Sequence, residues 1–388
     1  MILGRVNDSS ASSESISAGS RSDSRSDSRS KSVPADRKPK ARPNVLSGLL
    51  PGLLPDLPAL PDQSGLPIEP FPGRMEGAIF VRRTSPAIES SSGVATGTAA
   101  NPTGPPGTSG SGTQRRAVFV HGMGGSSTNW TDLMYLLAPT MAGVALDLPG
   151  YGFSQPSADG KYTINRYANA VIDVIEAEEA GPVHLFGNSL GGATAVTVAA
   201  ARPDLVATLT LISPALLTRT VMAKYHLPKV IDVVAGVRAA RKLTASEFAR
   251  RRTLAVFKLC YSDAGRVQPQ RVQAAIVETE RRSRLPHNQT IALATARALL
   301  ESAAPNGPAS IWEKARAVSA PTLGIYGTAD QLVPVELAPR AAEAFRRGRI
   351  VILPDCGHVA QMEHPQLTAQ TVLQWMAQVG DSAGDALA

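Results

Sequence analysis

From residue 117 onward, apolar positions concentrate in short runs separated by longer amphipathic stretches. The runs at 117–120, 144–148, 183–186, 209–212, 321–327 and 349–353 are rich in Val, Leu and Ile, and most are followed within two residues by Gly or Pro. Strands buried on both faces have this pattern, because neither face meets water. The stretches at 129–137, 164–179, 335–345 and 365–379 repeat apolar residues at helical spacing. Strand followed by helix, repeated, predicts an α/β fold: a mostly parallel sheet with helices on both faces. Residues 74–83 add a first hairpin or edge strand.

The rhythm stops between 214 and 310. That stretch is helical in pattern, rich in Ala and Arg, and holds no convincing strand. An all-helical block inserted after a strand of an α/β chain predicts a cap over a site at the sheet edge. Its apolar residues, such as Leu227, Val230, Val234, Leu254, Phe257 and Leu259, are expected to line an apolar acyl site, and its arginines, among them Arg238, Arg241, Arg250, Arg251, Arg281 and Arg282, to face water. The chain before the alternation is different again. Residues 7–42 are low in complexity, with Arg-Ser-Asp-Ser repeated. They have nothing to bury and are expected to be disordered. Residues 45–58 are apolar, but prolines interrupt them every few positions. No long helix survives that spacing, so a strap whose leucines dock in a groove is expected. The Gly/Ser/Thr/Pro-rich stretch at 91–112 predicts a loop. The division that results is a tail and strap at 1–65, an α/β core at 66–213 and 311–388, and a helical cap at 214–310.

Composition narrows the function classes. A hydrophobic content of 43% in 388 residues is enough for one large core. The net charge is +7 and the pI near 9.6. The arginines are scattered, which predicts a solvated basic face rather than a nucleic-acid partner. No apolar run approaches the ~20 residues that span a bilayer, so no stable membrane insertion is expected. The chain starts Met1-Ile2-Leu3-Gly4-Arg5 and turns polar at once. Without an apolar h-region no signal peptide is evident, and a cytoplasmic location is the expectation. Cys260 and Cys356 lie far apart in no metal-ligand spacing, so neither a disulfide framework nor a metal site is implied.

The chemistry centres on Gly187-Asn188-Ser189-Leu190-Gly191-Gly192, where an apolar run meets a helix of small residues. This is the G-x-S-x-G nucleophile elbow. Gly187 and Gly191 remove side chains that would clash on a sharp turn, and Ser189 projects at the carboxyl end of the sheet. A serine hydroxyl needs a base, and the base needs an orienting carboxylate. Asp330 follows one later strand and His358 the next, both at the edge expected for Ser189. The order Ser, Asp, His is the one that goes with this elbow. Asp355 is a rival acid, but it precedes His358 on the same loop and would struggle to reach around the ring. His184 is expected in the core, His226 and His287 in the cap, and His364 at the start of the last helix.

The loop His121-Gly122-Met123-Gly124-Gly125 completes the set. Acyl transfer passes through an oxyanion that fixed N–H groups stabilise. The backbone N–H groups of Met123 and Leu190 are the expected donors. Gly122, Gly124 and Gly125 allow close approach, and His121 shapes the loop. A phosphate site is the rival use of these glycines, but the Lys-Ser/Thr pair it needs is missing.

These residues carry a resemblance. With Asp147-Leu148-Pro149-Gly150-Tyr151-Gly152-Phe153-Ser154 and Gly357-His358-Val359-Ala360-Gln361-Met362-Glu363-His364-Pro365, the chain from about residue 74 resembles the α/β-hydrolase fold superfamily, in its capped bacterial branch. The resemblance implies an eight-stranded sheet and serine hydrolase chemistry without metal or organic cofactor. It does not fix the substrate. Dehalogenases and epoxide hydrolases of this fold carry an aspartate where Ser189 stands. Carbon–carbon bond hydrolases of ring-fission products share Gly-Asn-Ser, but usually carry Trp at the position of Val359. Cofactor-free haloperoxidases, or perhydrolases, share the triad. The expectation is a hydrolase of a small, apolar carboxylic ester. The alternatives are carbon–carbon hydrolase, cofactor-free haloperoxidase or perhydrolase, or a scaffold used only for binding, and within the ester class esterase, lipase, thioesterase and lactonase stay open. Oligomeric state is not set by the sequence.

Overall fold

A computed structural model describes residues 65–84, 116–179, 181–226 and 244–385. The low-complexity tail, the Leu/Pro-rich strap up to residue 64 and the 91–112 stretch lie outside the described residues.

Eight strands form one sheet in the order β1-β2-β4-β3-β5-β6-β7-β8. β1 (Gly73–Glu76) and β2 (Ile79–Arg83) make the antiparallel hairpin expected at 74–83, and β2 runs antiparallel to β4 (Ala142–Leu146). The remaining pairs are parallel: β3 (Arg116–Val120), β5 (Val183–Asn188), β6 (Val206–Ile212), β7 (Thr322–Gly327) and β8 (Gly348–Leu353). The nearly continuous apolar runs have a direct cause. Successive residues of one strand enter different cores. Val118, Val120, Leu185 and Leu211 pack on one face of the sheet. Ala117, Phe119, Phe186 and Ile212 pack on the other.

The first core is covered by α2 (Ile164–Ala177) and α3 (Leu190–Ala201), the second by α1 (Thr131–Leu137) and the last helix, Pro365–Asp385. α2 starts where the Thr163 side chain accepts a hydrogen bond from the Arg166 N–H, satisfying one of the free donors of the first turn. α3 has no polar face, and it is buried along nearly its whole length.

Between β6 and β7 the described residues form helices and no strand. They include α4 (Ala245–Cys260), α5 (Pro269–Ser283) and α6 (Asn288–Ser302). α4 opens with a capping box: Thr244 Oγ accepts from the Glu247 N–H, and Glu247 accepts from the Thr244 N–H. Polar contacts join this segment to the sheet domain. Arg271 forms a nearly buried ion pair with Asp132 of α1, 2.6 Å long. Thr295 of α6 is fully buried between the hydroxyls of Tyr151 (2.9 Å) and Tyr167 (2.7 Å).

Candidate active site

Ser189 sits between the end of β5 and the first residue of α3, at φ 56° and ψ −117°. A non-glycine residue held there is strained, at a cost of about 1–3 kcal/mol, and persists only where its surroundings fix it. The surroundings are backbone. A Cβ on Gly187 would lie 2.4 Å from the carbonyl oxygen of Gly191, and one on Gly191 would lie 2.0 Å from that of Val120. Hydrogen bonds fix the turn from both sides, from Ser189 N–H to Ile212 O and from Ala215 N–H to Ser189 O.

Asp330 follows β7 and His358 follows β8, so both stand at the same carboxyl edge of the sheet as Ser189. His358 Nδ1 lies 2.9 Å and 3.1 Å from the two carboxylate oxygens of Asp330. An ionised carboxylate only accepts, so Nδ1 donates a hydrogen to Asp330. The Asp330 side chain is fully buried and that of His358 nearly so. Burial pushes the Asp330 carboxyl up, but His358 and the N–H groups of Val333 and Leu332 outweigh it and hold it below the ordinary carboxylate range. Asp355 is exposed, and its N–H bonds to Thr328. It is not the acid at the histidine ring.

The glycine loop lies against the elbow. A Cβ on Gly122 would stand 3.2 Å from Ser189 Cβ and 3.1 Å from Asn188 Oδ1. Leu190 is the first residue of α3, whose first-turn N–H groups have no partner within the helix. Met123 lies in the turn closed by Gly125 N–H to Gly122 O, and its side chain is partly exposed. His121 is fully buried. It accepts the Leu148 N–H at Nε2 (3.0 Å), so Nδ1 carries the proton and donates to Gly122 O (2.7 Å). Burial pushes its pKa down despite nearby Asp147. The ring thereby ties the loop to the turn after β4. Asp147 fixes the same turn, accepting from Ser127 N–H (2.6 Å) and Phe153 N–H (2.8 Å).

The other histidines are scattered. His184 is half-buried and bonds Thr208 at 2.9 Å. His287 precedes α6. His364 precedes Pro365, the first residue of the last helix, as expected. The His226 side chain lies outside the described residues.

Two features were not anticipated. Asn188, quoted only as part of the elbow, donates from Nδ2 to the carbonyls of His358 and Ile212, both at 3.0 Å. It couples the histidine loop to the nucleophile turn. Arg281 and Arg282 of α5 were expected to face water, and the structure corrects this. Arg282 donates to Gly124 O at 2.6 Å, and Arg281 donates to Gly152 O while stacking on Phe153, 4.3 Å from the ring centroid. Turn carbonyls left without backbone partners attract guanidinium donors. Arg250 and Arg251 are exposed as expected, while Arg238 and Arg241 lie outside the described residues. Of the apolar residues expected to line a pocket, Phe257 packs with Tyr261, Val267 and Val359 beside His358. Leu254 is exposed instead, Leu259 is half-buried, and Leu227, Val230 and Val234 lie outside the described residues.

Comparison with known proteins agrees with this fold. A family model described as alpha/beta hydrolase fold matches residues 118–365. A monoacylglycerol lipase of Xenopus laevis is 26% identical over 268 residues, covering 69% of this chain and 76% of its own. The 2-hydroxymuconate semialdehyde hydrolase of a Pseudomonas strain is 27% identical over 279 residues, covering 69% and 88%. Among solved structures, a thermophilic esterase from Thermogutta terrifontis superposes with a TM-score of 0.52 at 23% identity, covering 69% of this chain and 91% of its own.

Proposed function

The chain belongs to the α/β-hydrolase fold family, and from that premise we propose that Ser189, His358 and Asp330 cleave a carboxylic ester through an acyl-enzyme. One observation carries the assignment of roles: the nucleophile turn, the buried His358–Asp330 pair and the Gly122 loop meet at one sheet edge. Ser189 Oγ attacks the substrate carbonyl carbon and its proton passes to His358 Nε2. Asp330 accepts from Nδ1 and stabilises the imidazolium. The N–H groups of Met123 and Leu190 receive the oxyanion. The imidazolium returns its proton to the departing alcohol. Water then repeats the cycle and releases the acid.

The helical segment between β6 and β7 acts as a cap. Its Phe257, Tyr261 and Val267 pack in a buried apolar cluster with Val359, the residue after His358, and so anchor the segment against the histidine loop. Several relatives are monoacylglycerol lipases, so a monoacylglycerol is the first substrate to try. The hydrolase relative acting on a ring-fission product supports a second reading, carbon–carbon bond cleavage. A panel of p-nitrophenyl esters of rising acyl length, a monoacylglycerol and a ring-fission dienoate separates the two. Ester turnover well above dienoate turnover is expected. Dienoate cleavage with negligible ester turnover would replace the ester reading.

A further inference from the structure

Glu363 lies five residues beyond His358 and has no part in the steps above. Its carboxylate is fully buried. A carboxylate taken out of water persists only where donors replace the lost hydration. One donor is the N–H of Gly357, the residue before His358, at 2.7 Å. The others come from the turn that follows α4: the Ser262 N–H at 3.0 Å, the Ser262 hydroxyl, and the Arg266 guanidinium at 3.1 Å.

The same turn holds the histidine loop directly. His358 N–H donates to Cys260 O at 2.6 Å, and Arg266 donates to Asp355 O at 2.7 Å. Gly357 approaches so closely that a Cβ there would lie 2.4 Å from Cys260 O. The backbone of 355–358 is thus gripped by residues 260–266, with Glu363 between them. Cys356, Glu363 and His364 also bring ligand atoms within 4.8 Å of one another, a set that could suggest a metal. Arg266 argues against it, lying 3.1 Å from Glu363 and 3.0 Å from His364 Nε2. A metal cation there would face a guanidinium.

We propose that Glu363 is a positioning residue for His358, coupling the inserted helical segment to the loop that carries the base. The proposal rests on the reading of His358 as the base of a Ser189 nucleophile. A base must sit within hydrogen-bond reach of the proton it takes, and a displacement of about 1 Å costs on the order of 100-fold in rate. A segment that grips this loop therefore sets turnover as well as substrate choice.

The test is Glu363→Gln in the full chain. The change keeps volume but turns an amide NH2 toward the donors of Ser262 and Arg266. Steady-state hydrolysis of p-nitrophenyl butyrate, the rate of fluorophosphonate labelling at Ser189, and circular dichroism are read together. The expected result is kcat lower by roughly 10- to 100-fold, KM nearly unchanged, and labelling slowed by a similar factor in a folded protein. A folded variant with wild-type kcat, a change confined to KM, or unchanged labelling would overturn the proposal. If Glu363→Gln fails to fold, Ser262→Ala decides: lower kcat at constant KM supports the proposal, and unaltered kcat overturns it. Ser189→Ala is assayed beside them. Activity retained there overturns the nucleophile assignment itself. Activity lost there and retained in Glu363→Gln overturns only the positioning role.

Discussion

Gly191→Ala tests whether the elbow is held by contact between backbones. The added Cβ would lie 2.0 Å from Val120 O, 2.6 Å from Val120 C and 2.6 Å from His121 O. None of these is the end of a flexible side chain. Restoring an ordinary contact of 3.4 Å requires the end of β3 and the start of α3 to separate by about 1.4 Å. Overpacking of this kind typically costs about 1–3 kcal/mol, occasionally more. The retreating segment, Val120 and His121, leads directly into Gly122 and Met123. A shift of more than 1 Å there misplaces the proposed oxyanion donor, with a loss on the order of 100-fold. Urea unfolding and p-nitrophenyl ester kinetics on the same preparation measure both effects. The expected variant is folded, less stable by that amount, and slower chiefly in kcat. Wild-type stability together with wild-type kcat would refute the close-approach reasoning.

Asp330→Asn should keep the fold, because its side chain can still accept from Leu332 and Val333, yet lower kcat by up to about 10,000-fold through loss of the charge that orients His358. Asp355→Asn should be nearly silent, and the reverse pattern in the same kinetic assay would reassign the acid. His121 is buried neutral with its pKa pushed below the ordinary 6.5. The unfolded chain therefore binds a proton first as pH falls, and stability drops below pH 6.5 by at most about 1.4 kcal/mol per pH unit until the folded-state pKa is reached. In urea titrations between pH 7 and 5, the stability gap between wild type and His121→Asn should narrow toward pH 5; a constant gap would exclude His121 as the source. Arg282→Met removes the donor to the exposed Gly124 carbonyl, which water can replace, and should cost about 0.5–1.5 kcal/mol in thermal unfolding, whereas exposed Arg251→Met should stay within about 0.5 kcal/mol.

The layers of the fold were legible because burial on both faces writes itself into a strand as an unbroken apolar run. Ala117, Val118, Phe119 and Val120 are all buried, and they alternate between two cores. The elbow was legible because its glycines answer to steric limits at fixed positions. Asp330 and His358 could be placed because each ends a recognisable strand. What stayed hidden depends on backbone acceptors, which no residue name reveals. Arg282 looks like any surface arginine until the Gly124 carbonyl turns toward it. Asn188 was noticed as a motif letter, but its bond to the His358 carbonyl requires the fold to bring two distant loops together. Glu363 stood in plain view within the last motif, and its role depends on a turn about a hundred residues earlier. Apolar character alone also misjudged Leu254, which projects outward although the helix it belongs to packs through Phe257.

The central claim is that Ser189 is a nucleophile activated by His358 and Asp330. Its most direct test is reaction of the purified chain with a fluorophosphonate, followed by peptide mass spectrometry. One adduct is expected, on the peptide bearing Ser189, with ester turnover falling in step with its formation. Ser189→Ala should lose both labelling and turnover. Ester hydrolysis at the wild-type rate by purified Ser189→Ala would contradict the account.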